Sequence, residues 1–187
     1  MNIVIISGSA RIGSLSHRVA LHLQHHLEHK TNHQISIVNL QDWSLPPVQS
    51  VWSSVEKTPI EFKPLAQTMF DAEAFILISP EFNGSYSPAM KNLIDQFPKQ
   101  HHKAFGIVTA SPGAMGGIRA SQQMQLLVGG LFGLLSPYML ITPMVDKKFD
   151  VNGELTDPSF QGQIDYFVQE FLWLAQAVVP NEELVLN

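Results

Sequence analysis

The sequence predicts an α/β fold, a three-layer α/β/α sandwich built on a five-stranded parallel sheet. Apolar runs of strand length alternate along the chain with longer segments whose apolar residues recur at helical spacing. Three of these runs are almost continuous in Ile, Val, Leu and Phe, which is typical of parallel strands covered by helices on both faces. Clusters of Gly, Ser and Pro follow the same three runs.

Five strands and five helices follow from this alternation. The strands are predicted at 2–7, 34–40, 74–79, 104–110 and 138–142, in the sheet order 2-1-3-4-5. The helices are predicted at 16–30, 61–71, 88–97, 117–128 and 158–178. Ser87 favours the third helix start because its hydroxyl can cap the helix, and Pro88 fits the first turn.

Composition excludes several classes of function. The 187 residues are one domain's worth of sequence, so we expect a single domain over 1–187. The chain has no Cys, which excludes disulfides and thiol nucleophiles. Its net charge is −5 and no stretch concentrates basic residues, so we expect no nucleic-acid partner. No apolar run has the form of a signal peptide or a membrane helix, so we expect a cytoplasmic protein that does not bind membranes.

The loop after the first strand, residues 7–16, combines small and hydroxyl residues with Arg11 and leads directly into a helix. Its backbone N–H groups can face inward, and the helix N-terminus adds partial positive charge, so the loop suits a phosphate. It lacks both Gly-Lys-Ser/Thr and Gly-x-Gly-x-x-Gly, the fingerprints of nucleoside triphosphatases and dinucleotide sites. A bound monophosphate is therefore predicted, and an ordinary turn is the alternative.

The loops after the third and fourth strands carry different chemistry. Residues 79–88 include two prolines, two aromatic residues and Asn83-Gly84, while residues 110–117 are small and rich in backbone amides. Such loops can hold the edge of a flat heterocycle beside an aromatic wall. In the order 2-1-3-4-5 the first and third strands are neighbours whose connections diverge, which opens a crevice between their loops. A ligand with a phosphate and a flat ring fits there, and flavin mononucleotide (FMN) has both.

Three blocks of sequence carry a family resemblance. They are GSARIGS at 8–14, PEFNGS at 80–85 with KNLID at 91–95, and ASPGAMGGIRA at 110–120. In combination they resemble the NADPH-dependent FMN reductase family, flavodoxin-like proteins that include quinone, azo-dye and chromate reductases. Phe82 stands where the family commonly has Tyr, Ser16 where Asn is usual, and Gln96 where an aromatic residue often occurs.

The resemblance also implies roles for individual residues. The positions implied for the FMN phosphate are Ser9, Arg11, Ser14 and Ser16. Those implied for the flavin ring are Pro80, Glu81, Phe82, Asn83, Gly84 and Ser85, with Ser111 and Gly113 approaching it from the third loop. The resemblance further implies a homodimer or homotetramer.

The predicted function is an NAD(P)H-dependent reductase in which bound FMN passes hydride equivalents to a small-molecule electron acceptor such as a quinone, free flavin or azo compound. No side chain is expected to act as a catalytic acid or base, and no metal site is expected. The alternatives are a flavodoxin-type electron carrier and a non-catalytic flavin-binding interaction or sensor protein.

Three further features have more than one interpretation. The His stripe formed by His22, His26, His29 and His33, with His25 alongside, is expected to be a solvated helix face rather than a metal site. The apolar excess at 126–135 fits either a subunit contact or an internal core element. Trp43 and Trp52, in the long connection 41–58, either close over the ring or anchor the connection.

Overall fold

A computed structural model describes residues 1–179 and contains one parallel sheet. Its strands run in the order β2-β1-β3-β4-β5, and β6 also pairs with β4. This confirms the predicted sheet order. The strands are β1 (Asn2–Ser7), β2 (Gln34–Asn39), β3 (Ala74–Ser79), β4 (Ala104–Ser111), β5 (Leu134–Leu135) and β6 (Leu140–Pro143).

The helices cover both faces of the sheet. They are α1 (Leu15–Lys30), α2 (Lys63–Asp71), α3 (Pro88–Asp95), α4 (Ile118–Gly130), α5 (Val145–Lys148) and α6 (Gln161–Val178). Short 3-10 turns, Ile60–Phe62 and Pro158–Phe160, precede α2 and α6. Within the described part of the chain, no helix is both long and apolar enough to cross a membrane.

Strand periodicity divides the core into two layers. Ile3 and Ile5 face α1 and α6, whereas Val4 and Ile6 face α2, α3 and α4. This division arises because successive side chains of a strand point to opposite faces of the sheet. Every residue of β3 is buried, as its continuous apolar sequence predicts. The buried sheet holds the loops at its carboxyl edge in fixed positions.

The fifth position of the sheet differs from the prediction of one strand at 138–142. It is divided into β5, which pairs with Ala104 and Phe105, and β6, which pairs with the end of β4 from Val108 onward. Pro137 lies between them and has no N–H to donate to a ladder, so continuous pairing stops there. Leu134 and Leu135 were not predicted as a strand because two residues give no readable alternation.

The long connection after β2 is held by the second core layer. Trp52 is buried and its ring stacks on Phe62 with a ring-centroid distance of 5.3 Å, and the Trp52 backbone N–H donates to the Gln96 carbonyl at 2.6 Å. The Gln96 side chain is itself buried and donates to the Pro46 carbonyl at 2.9 Å. Of the two interpretations, Trp52 therefore anchors the connection. Half-buried Trp43 packs against the same core layer.

The expectation that the His stripe is a solvated helix face is wrong for three of its members, because His22 and His26 are half-buried on α1 and His33, also half-buried, lies beyond the end of that helix. His22 is partly buried and its Nδ1 lies 2.9 Å from the Gly153 carbonyl, while His26 Nε2 lies 3.1 Å from Asp165 Oδ1. His25 and His29 are exposed. Helical spacing alone could not reveal this, because the covering turn and α6 come from distant sequence. Among residues 1–179, no three His, Asp or Glu side chains are grouped to hold a metal ion.

Candidate functional site

The first loop connects β1 to α1 and is shaped by a close backbone approach. Gly8 donates its N–H to the Ile78 carbonyl at 2.8 Å, and a Cβ at this position would lie 2.8 Å from the same oxygen. A glycine is therefore needed where the end of β1 meets the end of β3. Beyond it, Ser9 Oγ accepts from the Arg11 N–H at 3.3 Å and holds the loop in a curl.

The end of this loop brings hydroxyl groups to the N-terminus of a 16-residue helix. Ser14 precedes α1, and its Oγ lies 2.9 Å from Ser16 Oγ in the first turn. The first N–H groups of a helix have no intrahelical acceptor. No hydrogen bond among the described residues uses the backbone N–H groups of 12–16. These donors and hydroxyls suit an anion.

The second loop, between β3 and α3, is a small rigid hairpin. Phe82 and Ser85 exchange backbone hydrogen bonds of 2.8 and 3.0 Å across Asn83 and Gly84. Both central residues have positive φ, 50° and 82°, as in a type I′ turn, for which Asn-Gly is the favoured sequence. Ser79 Oγ accepts from the Ser87 N–H at 2.9 Å and closes the base of the loop.

The third loop, between β4 and α4, depends on two glycines with positive φ. Gly116 has φ 61°, and a Cβ there would lie 2.8 Å from the Pro143 nitrogen. Gly117 has φ 87° and precedes α4. Ser111 Oγ accepts from the Gly113 N–H at 3.1 Å. The loop thus presents backbone and small side chains at the same sheet edge as the other two.

The three loops enclose a cleft of about 500 Å³, which we name the main cleft. This volume is in the range of cofactor sites, roughly 300–1,000 Å³. Nine of the twelve residues predicted from the sequence line it: Ser9, Arg11, Ser14, Ser16, Pro80, Glu81, Phe82, Asn83 and Ser111. Five lining residues were not predicted: Ile12, Gly13, Leu15, Ala110 and Pro112. The positions predicted for the phosphate and most of those predicted for the flavin ring therefore line one cavity.

The remaining three predicted residues lie outside the main cleft. Gly84 and Gly113 line a neighbouring cleft of about 370 Å³, the side cleft, which is bounded by the second and third loops and by Arg119. Ser85 lines neither cleft, because it closes the hairpin through its backbone. The two clefts could not be separated from the sequence, since both use residues from the same loops.

Arg11 and Phe82 link the two walls of the main cleft. The guanidinium carbon lies 4.6 Å from the centroid of the Phe82 ring, within the range of a cation–π contact. Phe82 therefore supplies the aromatic wall without a hydroxyl group. The exposed guanidinium stays at the mouth of the cleft, beside the donors of the first loop.

Glu81 is the only acidic residue among the described ones that lines the main cleft, and its carboxylate bonds to Arg119. Its Oε2 accepts from the Arg119 backbone N–H at 3.1 Å, and its Oε1 lies 3.5 Å from the Arg119 guanidinium. The contact joins the second loop to the first turn of α4. Glu81 thus fixes the relative position of two loops, a role that the sequence did not reveal.

His17 lies behind the first loop and was also missed. Its Nδ1 is 3.0 Å from Ser7 Oγ at the end of β1. Burial lowers the pKa of His17, and the negative charge of Asp42 partly offsets that effect. The neutral imidazole therefore supports the loop by a hydrogen bond rather than by charge. The sequence feature that could have identified His17 is its position in the first turn of α1, directly after Ser16.

Comparison with known proteins assigns this architecture to a family. Residues 1–141 match the family model of NADPH-dependent FMN reductase. The chain belongs to this family. The match confirms the resemblance carried by the three sequence blocks.

Relatives of the chain agree with this membership. It is 29% identical over 181 residues to an FMN-dependent NADPH-azoreductase of Staphylococcus saprophyticus, covering 90% of this chain and 92% of the relative. An FMN-dependent NADPH-azoreductase of Staphylococcus aureus is 27% identical over 181 residues, covering 90% of this chain and 92% of the relative.

Solved structures share the fold of this family member. FerB, a flavoenzyme NAD(P)H:(acceptor) oxidoreductase from Paracoccus denitrificans, superposes with a TM-score of 0.75 at 20% identity, covering 94% of this chain and 97% of that one. A flavodoxin mutant from Pseudomonas aeruginosa superposes with a TM-score of 0.59 at 19% identity, covering 92% and 99%. Both likenesses show the flavodoxin-like fold.

Proposed function

We propose that this protein is an NAD(P)H-dependent reductase that holds FMN in the main cleft, with the phosphate in the first loop and the ring between the second and third loops. The observation that carries the proposal is the single cavity lined by both Ser9–Ser16 donors and the 80–83 hairpin. Membership of the NADPH-dependent FMN reductase family names the same cofactor and reductant.

The residues present fit FMN at both ends. Ser9, Ser14 and Ser16 offer hydroxyls, the loop offers N–H donors, and Arg11 adds a full positive charge for a dianionic phosphate. Pro80, Phe82 and Asn83 form a stiff wall whose backbone suits the edge of a flat ring. Gly84 and Gly113 approach the ring from the side cleft, and Ser85 acts by closing the hairpin.

The chain contributes binding and orientation rather than proton transfer. When bound, FMN supplies the redox chemistry, accepting a hydride from NAD(P)H and returning two electrons to an acceptor. In the part of the chain that the structure describes, the only ionisable side chains lining the main cleft are Arg11 and Glu81, and the Glu81 carboxylate already bonds to Arg119. Backbone N–H groups of the second and third loops that are not used within the loops would offset negative charge on a bound flavin.

The electron acceptor is a small molecule, and azo compounds, quinones and free flavin are the proposed classes. The azoreductase names of two relatives that cover 90% of the chain support azo compounds. Asn83 on the second loop and Pro112 and Gly113 on the third are exposed, so a second flat molecule can reach a ring held between these loops.

The decisive experiment is an anaerobic NADPH titration of the purified protein after reconstitution with FMN. We expect a flavin absorption spectrum that bleaches with one equivalent of NADPH and returns when a quinone or azo dye is added. A spectrum that NADPH leaves unchanged, but that a one-electron reductant converts to a stable semiquinone, favours the flavodoxin-type carrier. Reduction without turnover of any acceptor favours the sensor, and absence of FMN binding removes the proposal altogether.

The proposal extends to assembly and location. Leu126, Phe132 and Leu134 are 71%, 58% and 40% exposed at the end of α4 and the start of β5, which supports a homodimer or homotetramer that covers them. We place the protein in the cytoplasm because NAD(P)H is an intracellular reductant. Light scattering of the wild type and of Leu126→Glu tests the assembly; a wild-type monomer contradicts it.

A further inference from the structure

The side cleft adjoins the main cleft but differs from it in chemistry. The two share Glu81, Asn83 and Ser111 in their linings, so a molecule longer than one cleft can contact both. The main cleft has its phosphate donors at the first loop, on the far side from the third loop. The side cleft has no part of the first loop and carries its own cation, Arg119.

Arg119 is held loosely at the guanidinium and firmly at the backbone. Its side chain is 71% exposed, and the guanidinium Nη1 lies 3.5 Å from Glu81 Oε1. An exposed ion pair of this length contributes little stability. The Arg119 backbone N–H, by contrast, donates to Glu81 Oε2 at 3.1 Å. The carboxylate therefore keeps a hydrogen-bond donor when the guanidinium turns towards another anion.

The residues around Arg119 allow its guanidinium to turn from Glu81 towards another anion. Among residues 1–179, Glu81 and Arg119 are the only ionisable side chains that line the side cleft. The aliphatic stem of Arg119 passes Gly84, where an added Cβ would lie 3.7 Å from Arg119 Cδ. Met115, 67% exposed, adds an apolar side chain to the lining of the same cleft. A planar guanidinium in a cleft that also holds an apolar side chain suits a phosphate monoester attached to an organic group.

We propose that Arg119 binds the 2′-phosphate of NADPH in the side cleft and thereby sets a preference for NADPH over NADH. This inference rests on the proposed function, because it requires a nicotinamide dinucleotide to bring its hydride to the main cleft. The phosphate of FMN already occupies the first loop under that proposal, so a second phosphate needs a second cation. Within the two clefts of the described structure, Arg119 is the one that remains.

The test compares Arg119→Gln and Arg119→Lys with the wild type, each loaded with FMN. Loss of a charge-assisted hydrogen bond corresponds to roughly a 10- to 100-fold change. We expect Arg119→Gln to lower kcat/KM for NADPH by about that factor, through KM, and to leave kcat/KM for NADH within about twofold. Arg119→Lys keeps the charge and restores part of the loss. Both variants keep the backbone N–H that bonds Glu81, so the loops retain their link.

A binding measurement separates this inference from the proposed function. The probes are 2′,5′-ADP, which carries the phosphate without the nicotinamide, and 5′-ADP, which lacks the 2′-phosphate. Calorimetry should show that Arg119→Gln weakens 2′,5′-ADP binding and leaves 5′-ADP unchanged. Lys147→Ala removes an exposed cation outside both clefts and should change neither.

Two results overturn the inference. An equal loss with NADPH and NADH assigns Arg119 to the shared diphosphate or to the protein framework. Unchanged 2′,5′-ADP binding in Arg119→Gln removes the phosphate contact. If neither nucleotide reduces FMN bound to the wild-type protein, the proposed function fails. A 2′,5′-ADP affinity that still depends on Arg119 would then be a separate finding about the nucleotide site.

Discussion

The hydroxyl of Ser87 donates a hydrogen bond to the backbone carbonyl of Gly8 and so joins the start of α3 to the first loop. Ser87 is also the N-cap of α3, and its Oγ accepts a hydrogen bond from the Met90 N–H at 3.0 Å. Gly8 in turn donates its N–H to the Ile78 carbonyl at 2.8 Å. The two walls of the main cleft are thus held together by residues that do not line it.

Replacing Ser87 with Ala should destabilise both the helix and the cleft. The change removes a cap and leaves the Gly8 carbonyl without this partner in a buried position, for a loss of about 1–2 kcal/mol in the free energy of unfolding. Urea denaturation measures the loss, and FMN affinity should fall with it. Ser53→Ala, on the exposed part of the long connection, is the matched control and should lie within about 0.5 kcal/mol of the wild type.

Adding one methyl group to a glycine should have opposite effects at two positions. In Gly8→Ala the new Cβ would lie 2.8 Å from the Ile78 carbonyl oxygen, so the backbone at residue 8 or at Ile78 must shift. We expect the free energy of unfolding to fall by about 2 kcal/mol or more. In Gly129→Ala the Cβ meets no atom within 4 Å, and the helical position should gain about 0.5–1 kcal/mol. Thermal unfolding compares them; equal effects would contradict the close approach at Gly8.

Arg11→Ala should weaken FMN binding without changing the fold. The side chain is exposed and contacts the Phe82 ring, so its loss costs the fold little. A charge-assisted hydrogen bond to phosphate contributes on the order of 2 kcal/mol, or about thirtyfold in the dissociation constant. Quenching of flavin fluorescence on titration measures the affinity.

Riboflavin, which lacks the phosphate, provides the control for this prediction. Arg11→Ala should bind riboflavin as the wild type does, because the ring contacts are retained. A similar loss for riboflavin and FMN would place Arg11 at the ring instead of the phosphate.

Acidification should destabilise the protein through the histidines of α1. Burial lowers the pKa of His22 and that of His26. The negative charge of Asp165 partly offsets this lowering at both residues. At His22, Glu154 also raises the pKa, whereas neighbouring His25 lowers it. The unfolded chain therefore binds protons more readily than the folded chain as the pH falls through about 6.5. The free energy of unfolding should decrease from pH 7 to pH 5.

His22→Asn tests the contribution of one of these groups. The Asn side-chain N–H₂ can still donate towards the Gly153 carbonyl, 2.9 Å from the His22 ring nitrogen, but Asn does not titrate. The stability lost between pH 7 and pH 5 should be smaller than in the wild type, as measured by urea midpoints at both values. His29→Asn, which is exposed on the same helix and is not among the groups that shift the pKa of His22 or His26, should retain the wild-type loss of stability.

The main strands and the ligand edge could be predicted from the sequence because each depends on local pattern. The continuous apolar residues of β3 require a strand buried on both faces, and Asn83-Gly84 is the favoured sequence of the turn found there. The first loop was likewise recognisable from its small residues and Arg11. The split fifth position was not, since Pro137 interrupts a strand whose pairing depends on β4.

The sequence alone determined the layer architecture, the strand order and which loops carry polar donors, because periodicity and turn chemistry are written in neighbouring residues. Only the tertiary structure decided that Ser9 and Phe82 line one cleft, that Gly84 and Gly113 line another, and that Glu81 is engaged by Arg119. These relations join residues far apart in the chain. They depend on how closely the ends of the strands approach, a distance that packing of the two core layers sets.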